Sequence, residues 1–206
     1  MGFGNDRIIQ GLYTADTELF ELMYEKTIQH KLENLPKRFL YVGRYVEWKG
    51  VFELWKAFSE LKAALNSEWE LWCVGTGELY DQRIESEGIK HFGFIQPQDL
   101  TPIIEGSSVF VLPSKYEPWG VVTQEYAAAG LGILSNKNVG STSAYLRDGE
   151  NGILLNDDSY EELKKGMRMM MEKTDAELIE MGKISHELGK DNSPKIWADK
   201  LLSVKL

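Results

Sequence analysis

The chain has 206 residues, 43% of them hydrophobic, and a formal charge of −9 at pH 7. That length and composition hold one sizeable core, and the acidic balance excludes the broad Lys/Arg footprint that a nucleic-acid partner demands. Cys73 is the single cysteine, so no intramolecular disulfide exists, and the cytoplasm is the expected compartment.

The opening MGFGNDRIIQ has neither a basic stretch nor an apolar core of the secretory kind. No apolar run approaches the roughly 18 residues that span a bilayer. Residues 1–38 sit outside the pattern that follows: IIQGLY reads as a single strand, and a polar helix is predicted from about Thr17 to Glu33. From residue 39 onward, short β-rich runs alternate with longer helical ones. FLYVG (39–43) is a buried strand, and Val51, Leu54, Trp55, Phe58 and Leu61 recur at helical spacing on one face of a helix. WELWCVG (69–75) is the second strand, ELYDQRIESE a helix, IKHFGF (89–94) the third strand and QDLTPIIEG a short helix. VFVLP (109–113) is the fourth strand, and VVTQEYAAAG a helix closed by Gly130. GILS (132–135) and GILL (152–155) are short strands. Three helical stretches end the chain, with Ser193 and Pro194 suited to the cap and first position of the last.

Such alternation predicts an α/β fold with a doubly wound, Rossmann-like parallel sheet. Ligands of that fold bind beyond the carboxyl ends of the strands, which directs attention to the turns there. The first, GRYVEWKG, carries Gly43, Arg44 and Lys49. Lys49 precedes a helix, where a cation opposes the helix dipole, and an anion shared with Arg44 and the helix amides would reverse that sign; two solvated surface cations are the plain alternative. The second turn, VGTGEL, offers Gly75 and Gly77 for close backbone approach to a ligand, and a tight strand-to-helix turn is the plain alternative. A dinucleotide fingerprint needs a third glycine where Tyr80 stands, so a nicotinamide oxidoreductase is disfavoured. The fourth strand opens PSKYEPWGVVTQEYAAAG, in which amides of Gly120, Val121 and Val122 begin a helix able to cradle a diphosphate. Glu125, four residues after Val121, lies on the same helix face, where its carboxylate can accept from the two hydroxyls of a ribose. Glu117, on the turn before the helix, faces the far side of the phosphates. Either glutamate has a bland reading as a charge favoured by the helix dipole. His30, His91 and His186 are scattered, and no metal is expected.

Over roughly residues 36–204 these motifs resemble the donor-binding half of retaining, GT-B-fold glycosyltransferases of family 4. GRYVEWKG, VGTGEL, HFGFI, EPWGVVTQE and DGENGILL carry the likeness through their order and spacing. The resemblance implies that Arg44 and Lys49 hold the donor diphosphate, that Glu117 contacts donor-sugar hydroxyls and Glu125 the ribose, and that the backbone around Ile95 meets the nucleobase. It thus places Arg44, Lys49 and Glu117 in catalysis by a hexosyltransferase-type enzyme that needs no metal or other cofactor. Asp157-Asp158 reads as a helix cap and not as a metal motif. Ala144 stands where the family has an acidic residue, Gly132 where proline is common, and Trp119, expected to pack under its turn, where phenylalanine is usual.

On this reading residues 1–35 are the linker or remnant of an acceptor domain that precedes, and 36–206 the nucleotide-sugar-binding domain, the C-terminal half of a GT-B fold. The partners are then a nucleoside-diphosphate sugar and the missing N-terminal domain, without nucleic acid or a transmembrane segment, and peripheral membrane association is compatible with the full-length enzyme. The isolated half is expected to be inactive in transfer, and its last helix to keep a partly exposed apolar face. The alternative is a stand-alone nucleotide-sugar-binding module without turnover.

Overall fold

Runs of β-branched and aliphatic residues short enough for strands become the middle layer of the molecule. The computed structural model describes residues 11–203. Its strands are β1 (Arg38–Val42), β2 (Glu70–Val74), β3 (Ile89–His91), β4 (Val109–Leu112), β5 (Gly132–Asn136) and β6 (Gly152–Leu155). They form one sheet in the order β3-β2-β1-β4-β5-β6, parallel throughout. The doubly wound, Rossmann-like parallel sheet predicted from the sequence is therefore present. Its order reverses between β1 and β4, where the loops after both strands rise side by side.

The helices are α1 (Thr17–Glu33), α2 (Val51–Leu65), α3 (Thr101–Glu105), α4 (Val121–Ala128), α5 (Thr142–Tyr145), α6 (Tyr160–Met171), α7 (Asp175–Lys190) and α8 (Pro194–Leu202). α2 packs with α6, while α1, α4 and α7 pack on one another, with α3 against α1. Cover of this kind on both faces is what lets all of β4 and β5 be buried. The predicted face of α2 is the observed one, with Val51, Leu54, Trp55, Phe58 and Leu61 buried.

α1 finds partners that its polar sequence does not advertise. Its buried side chains, Thr17, Phe20, Met23, Thr27 and Lys31, recur at helical spacing. Phe20 meets Tyr126 edge-on at 5.8 Å, and Tyr126 stacks on Phe110 of β4 at 4.5 Å. Residues 17–33 are thereby joined to the sheet through α4.

Three local expectations are corrected. ELYDQRIESE is not a helix; it makes one 3₁₀ turn, Tyr80–Gln82, and then extends at Arg83. Its like charges Asp81 and Glu85 fall at i,i+4, and only Leu79, Tyr80 and Ile84 pack on the core, too few for an apolar stripe. Helix α6 is capped by Ser159, which accepts from the Glu162 amide, whereas Asp157 accepts from the Ser159 amide. Of the strand read in IIQGLY, Ile8–Gln10 lie outside the described residues, and residues 11–13 form no regular element.

α4 ends as expected, with Gly130 in the left-handed region at φ +73°. Ser193 caps α8 by accepting from the Ile196 amide, and no residue of α8 is buried. Among the described residues no helix is long and apolar enough to cross a membrane.

The packing of α7 on the turn that closes α4 depends on a missing side chain. A Cβ at Gly182 would lie 2.5 Å from the Gly130 carbonyl oxygen. Alanine improves helix propensity by about 1 kcal/mol, but overpacking against backbone costs about 1–3 kcal/mol. Gly182→Ala is therefore expected to lower Tm by a few degrees in a thermal melt, at about 2–4 °C per kcal/mol for a chain of this size; an unchanged or higher Tm would show that α7 can shift freely.

Candidate functional site

The loops after β1 and β4 form the two walls of a cleft at the reversal of strand order, where an open α/β sheet binds its ligands. After β1, Gly43 donates to the Val74 carbonyl at 3.0 Å and Tyr45 to the Thr76 carbonyl at 2.9 Å. The loops after β1 and β2 thus lie backbone to backbone. A Cβ on Gly75 would overlap the Gly43 carbonyl, and one on Gly77 would fall 2.5 Å from the Tyr45 carbonyl. The glycines of VGTG are accounted for by this approach of one loop to another.

Glu47–Lys49 then make one 3₁₀ turn closed by Gly50. Trp48 offers its carbonyl to the Lys115 amide at 2.8 Å, which ties this turn to the loop after β4. The Arg44 guanidinium lies 5.7 Å from the centroid of the Trp48 ring. Across the cleft Lys49 pairs with Glu117, both side chains more than four-fifths buried. Arg44, Trp48, Lys49, Tyr116, Glu117 and Pro118 enclose about 490 Å³.

Glu117 is held by its backbone. Its amide donates to the Asn138 carbonyl at 3.1 Å and its carbonyl accepts from Gly140 at 3.1 Å. Three residues on, Gly120 takes φ +84°, and a Cβ there would meet the Glu117 Cγ at 2.9 Å. Ser141 Oγ donates to the Gly120 carbonyl at 2.9 Å and fixes the turn. Helix α4 begins at Val121, so the amides of Val121 and Val122 are first-turn donors without intrahelical acceptors.

Glu125 stands one turn further along α4, half-buried. Burial pushes its carboxyl up to about 7, with a smaller contribution in the same direction from Asp16 at the start of α1. Trp119 is half-buried between Tyr13 and Tyr145, at 6.3 and 6.5 Å, which fits packing under the turn.

Arg44, Lys49 and Glu117 are thus brought to one cleft, whereas Gly43, just after β1, and Gly120, Val121, Val122 and Glu125, which follow Glu117 along the chain, are not among the residues that enclose it. Gly75 and Gly77 serve the adjoining loop. Ile95, after β3, packs partly against the core and is not among the residues enclosing the cleft. Sequence reasoning missed the aromatic rim, Trp48 and Tyr116, which are 43% and 68% exposed; their positions inside the motifs were the available signal. It also missed that the anion beside Lys49 is Glu117 of the chain itself.

Residues 24–187 match the family of glycosyl transferases group 1. The chain belongs to that family. It is 31% identical over 180 residues to an uncharacterized glycosyltransferase of Methanocaldococcus jannaschii, covering 82% of this chain and 45% of that one. The Anabaena HepE structure in complex with UDP and glucose matches with a TM-score of 0.71 at 17% identity, over 93% of this chain and 55% of that one. The C-terminal domain of a glycosyl transferase group 1 family protein, LpcC of Francisella tularensis, matches with a TM-score of 0.66 at 16% identity, over 84% of this chain and 95% of that one. These structures share the fold of glycosyltransferase domains of the GT-B kind. The chain spans less than half the length of the curated relatives it matches.

Proposed function

We propose that the chain is the donor-binding domain of a retaining glycosyltransferase of family 4, which transfers a hexosyl group from a nucleoside-diphosphate sugar to an acceptor hydroxyl. The observation that carries this reading is the convergence of Arg44, Lys49 and Glu117 on one cleft at the β1/β4 switch point, with helix α4 starting four residues after Glu117. Two cations and a helix N-terminus suit a diphosphate. As the bond from the anomeric carbon to the phosphate oxygen breaks, negative charge collects on the departing diphosphate. Arg44 and Lys49 stabilise it, the electrostatic contribution with the largest expected rate effect. Glu117 accepts from hydroxyls of the donor sugar, Glu125 from the ribose, and the backbone near Ile95 meets the base. In the resting site Glu117 neutralises Lys49, and on this reading the incoming diphosphate takes over that ammonium.

Support for the domain assignment comes from the share of the relatives that the chain spans and from the LpcC C-terminal domain, which it covers almost entirely. Residues 1–35 then belong to the connection with an acceptor domain, and the full enzyme works in the cytoplasm, where sugar nucleotides are supplied. A panel of UDP-, GDP- and ADP-sugars titrated into the chain by calorimetry tests the proposal; no binding by any of them would end it. Binding is expected to persist in EDTA, because the cations and amides carry the charge that a metal otherwise would. The same chain is expected to give no multiple-turnover transfer to an added acceptor, and observed turnover would show that the acceptor site lies within these 206 residues.

A further inference from the structure

Gln124 precedes Glu125, and the donor site makes no use of it. Its side chain is fully buried on α4. Oε1 accepts from the Ala15 amide at 2.8 Å, and Nε2 donates to the carbonyls of Gly189 at 3.0 Å and Asn192 at 2.7 Å. One amide therefore grips two stretches of chain, 109 residues away on one side and 65 and 68 on the other. Those stretches are also joined to each other. The Thr14 hydroxyl donates to the Asn192 carbonyl at 2.5 Å, and the Asn192 side-chain amide donates to the Tyr13 carbonyl at 3.2 Å and to the Tyr145 hydroxyl at 3.4 Å.

A buried amide is costly unless its bonds are made, and a leucine would fill the same space without that demand. What Gln124 supplies beyond volume is attachment. Ala15 is followed by Asp16, an exposed residue that caps α1 through the Leu19 amide, just as Gln124 is followed by Glu125.

We propose that Gln124 is a positioning residue: it locks residues 13–16 and 189–192 onto α4, and thereby makes the carboxylate of Glu125 answer to where those two segments lie. The consequence for nucleotide binding rests on the donor-site reading given above; the attachment itself does not. Burial acts on Glu125 first and the charge of Asp16 second, both in the same direction; of the titratable groups on α7, which also packs on α4, His186 bonds the Ala128 carbonyl and Lys190 is paired with Glu187. Releasing the segment that carries Asp16 therefore changes the proton affinity of Glu125.

The test is a titration of the Glu125 carboxyl in the ligand-free full chain by carbon-detected NMR. The wild-type midpoint is expected near 7. Asp16→Asn, which retains a good cap for α1, lowers it. Gln124→Leu, which conserves volume and removes all three bonds, lowers it in the same direction, and the double variant goes no lower than the lower of the two single variants. An unchanged midpoint in Gln124→Leu, or full additivity in the double variant, overturns the proposal. Should Gln124→Leu not fold by circular dichroism, Thr14→Val cuts the same junction at its rim; a lowered midpoint there supports the proposal and an unchanged one overturns it. UDP, GDP and ADP provide the second readout. The pH at which affinity rises moves down in Gln124→Leu together with the NMR midpoint. If the wild type binds none of the three, the donor-site reading fails while the NMR titration still decides the role of Gln124.

Discussion

Glu125→Ala is expected to weaken binding of a nucleoside diphosphate and of its sugar conjugate alike by about tenfold to a hundredfold, since a hydrogen bond to a charged group is worth about 1.5–3 kcal/mol. Glu117→Ala is expected to weaken only the sugar conjugate. Because Glu117 neutralises Lys49 in the resting site, its removal frees the ammonium and leaves the bare diphosphate bound as tightly as before or more so. Calorimetry on the two variants with both ligands separates the roles, and equal losses of bare diphosphate affinity would refute the division. The pH dependence supplies a second check. Burial pushes the Glu125 carboxyl up to about 7, and the ionised form is the better acceptor for two hydroxyls. Affinity is therefore expected to rise with pH through about 7, and Glu125→Gln to remove that part of the rise while leaving the ligand's own phosphate titration. Stability runs the opposite way. The folded chain takes up this proton before the unfolded chain does as pH falls, so the contribution is fully present below the ordinary glutamate range and is lost as pH rises through about 7. Glu125→Gln is expected to flatten that slope in pH-dependent melts.

Lys49→Ala is expected to weaken diphosphate binding more than Arg44→Ala does. Both substitutions remove a cation, but Lys49→Ala also leaves the Glu117 carboxylate, only 17% exposed, without its partner, where on the proposed reading it would repel the diphosphate. Breaking a buried pair by deleting one member costs more than the pair contributes. The double variant Lys49→Ala/Glu117→Ala is accordingly expected to recover part of the bare-diphosphate affinity lost in Lys49→Ala, a coupling that a double-mutant cycle measures. Rising salt should weaken the wild type more steeply than either single cation variant. Wild-type affinity in both Arg44→Ala and Lys49→Ala would place the anion site elsewhere. Additivity in the cycle would mean that the Lys49–Glu117 pair is not what a ligand meets.

By itself the sequence determined what is local. The six strands follow from short, nearly continuous apolar runs and the buried face of α2 from an apolar period of 3.6 residues, and the start of α4 and its stop at Gly130 follow from turn chemistry that a few neighbouring residues control. Ordered along the chain, those elements admit few arrangements besides a doubly wound sheet, so the edge bearing Arg44, Lys49 and Glu117 was legible too. Tertiary structure decided everything that rests on pairs distant in sequence. Lys49 reads as an unsatisfied cation until the fold brings Glu117, 68 residues on, across the cleft. Gly75 and Gly77 read equally as room for a ligand or as a tight turn until the fold lays the backbone of the loop after β1 against them. α1 reads as a polar helix without a partner until Phe20 reaches Tyr126. Gln124 is an ordinary helical glutamine until its amide meets residues 15, 189 and 192. Hydrogen-bond and charge partners are chosen by proximity in space, and proximity between remote residues exists only once the sheet has closed its order.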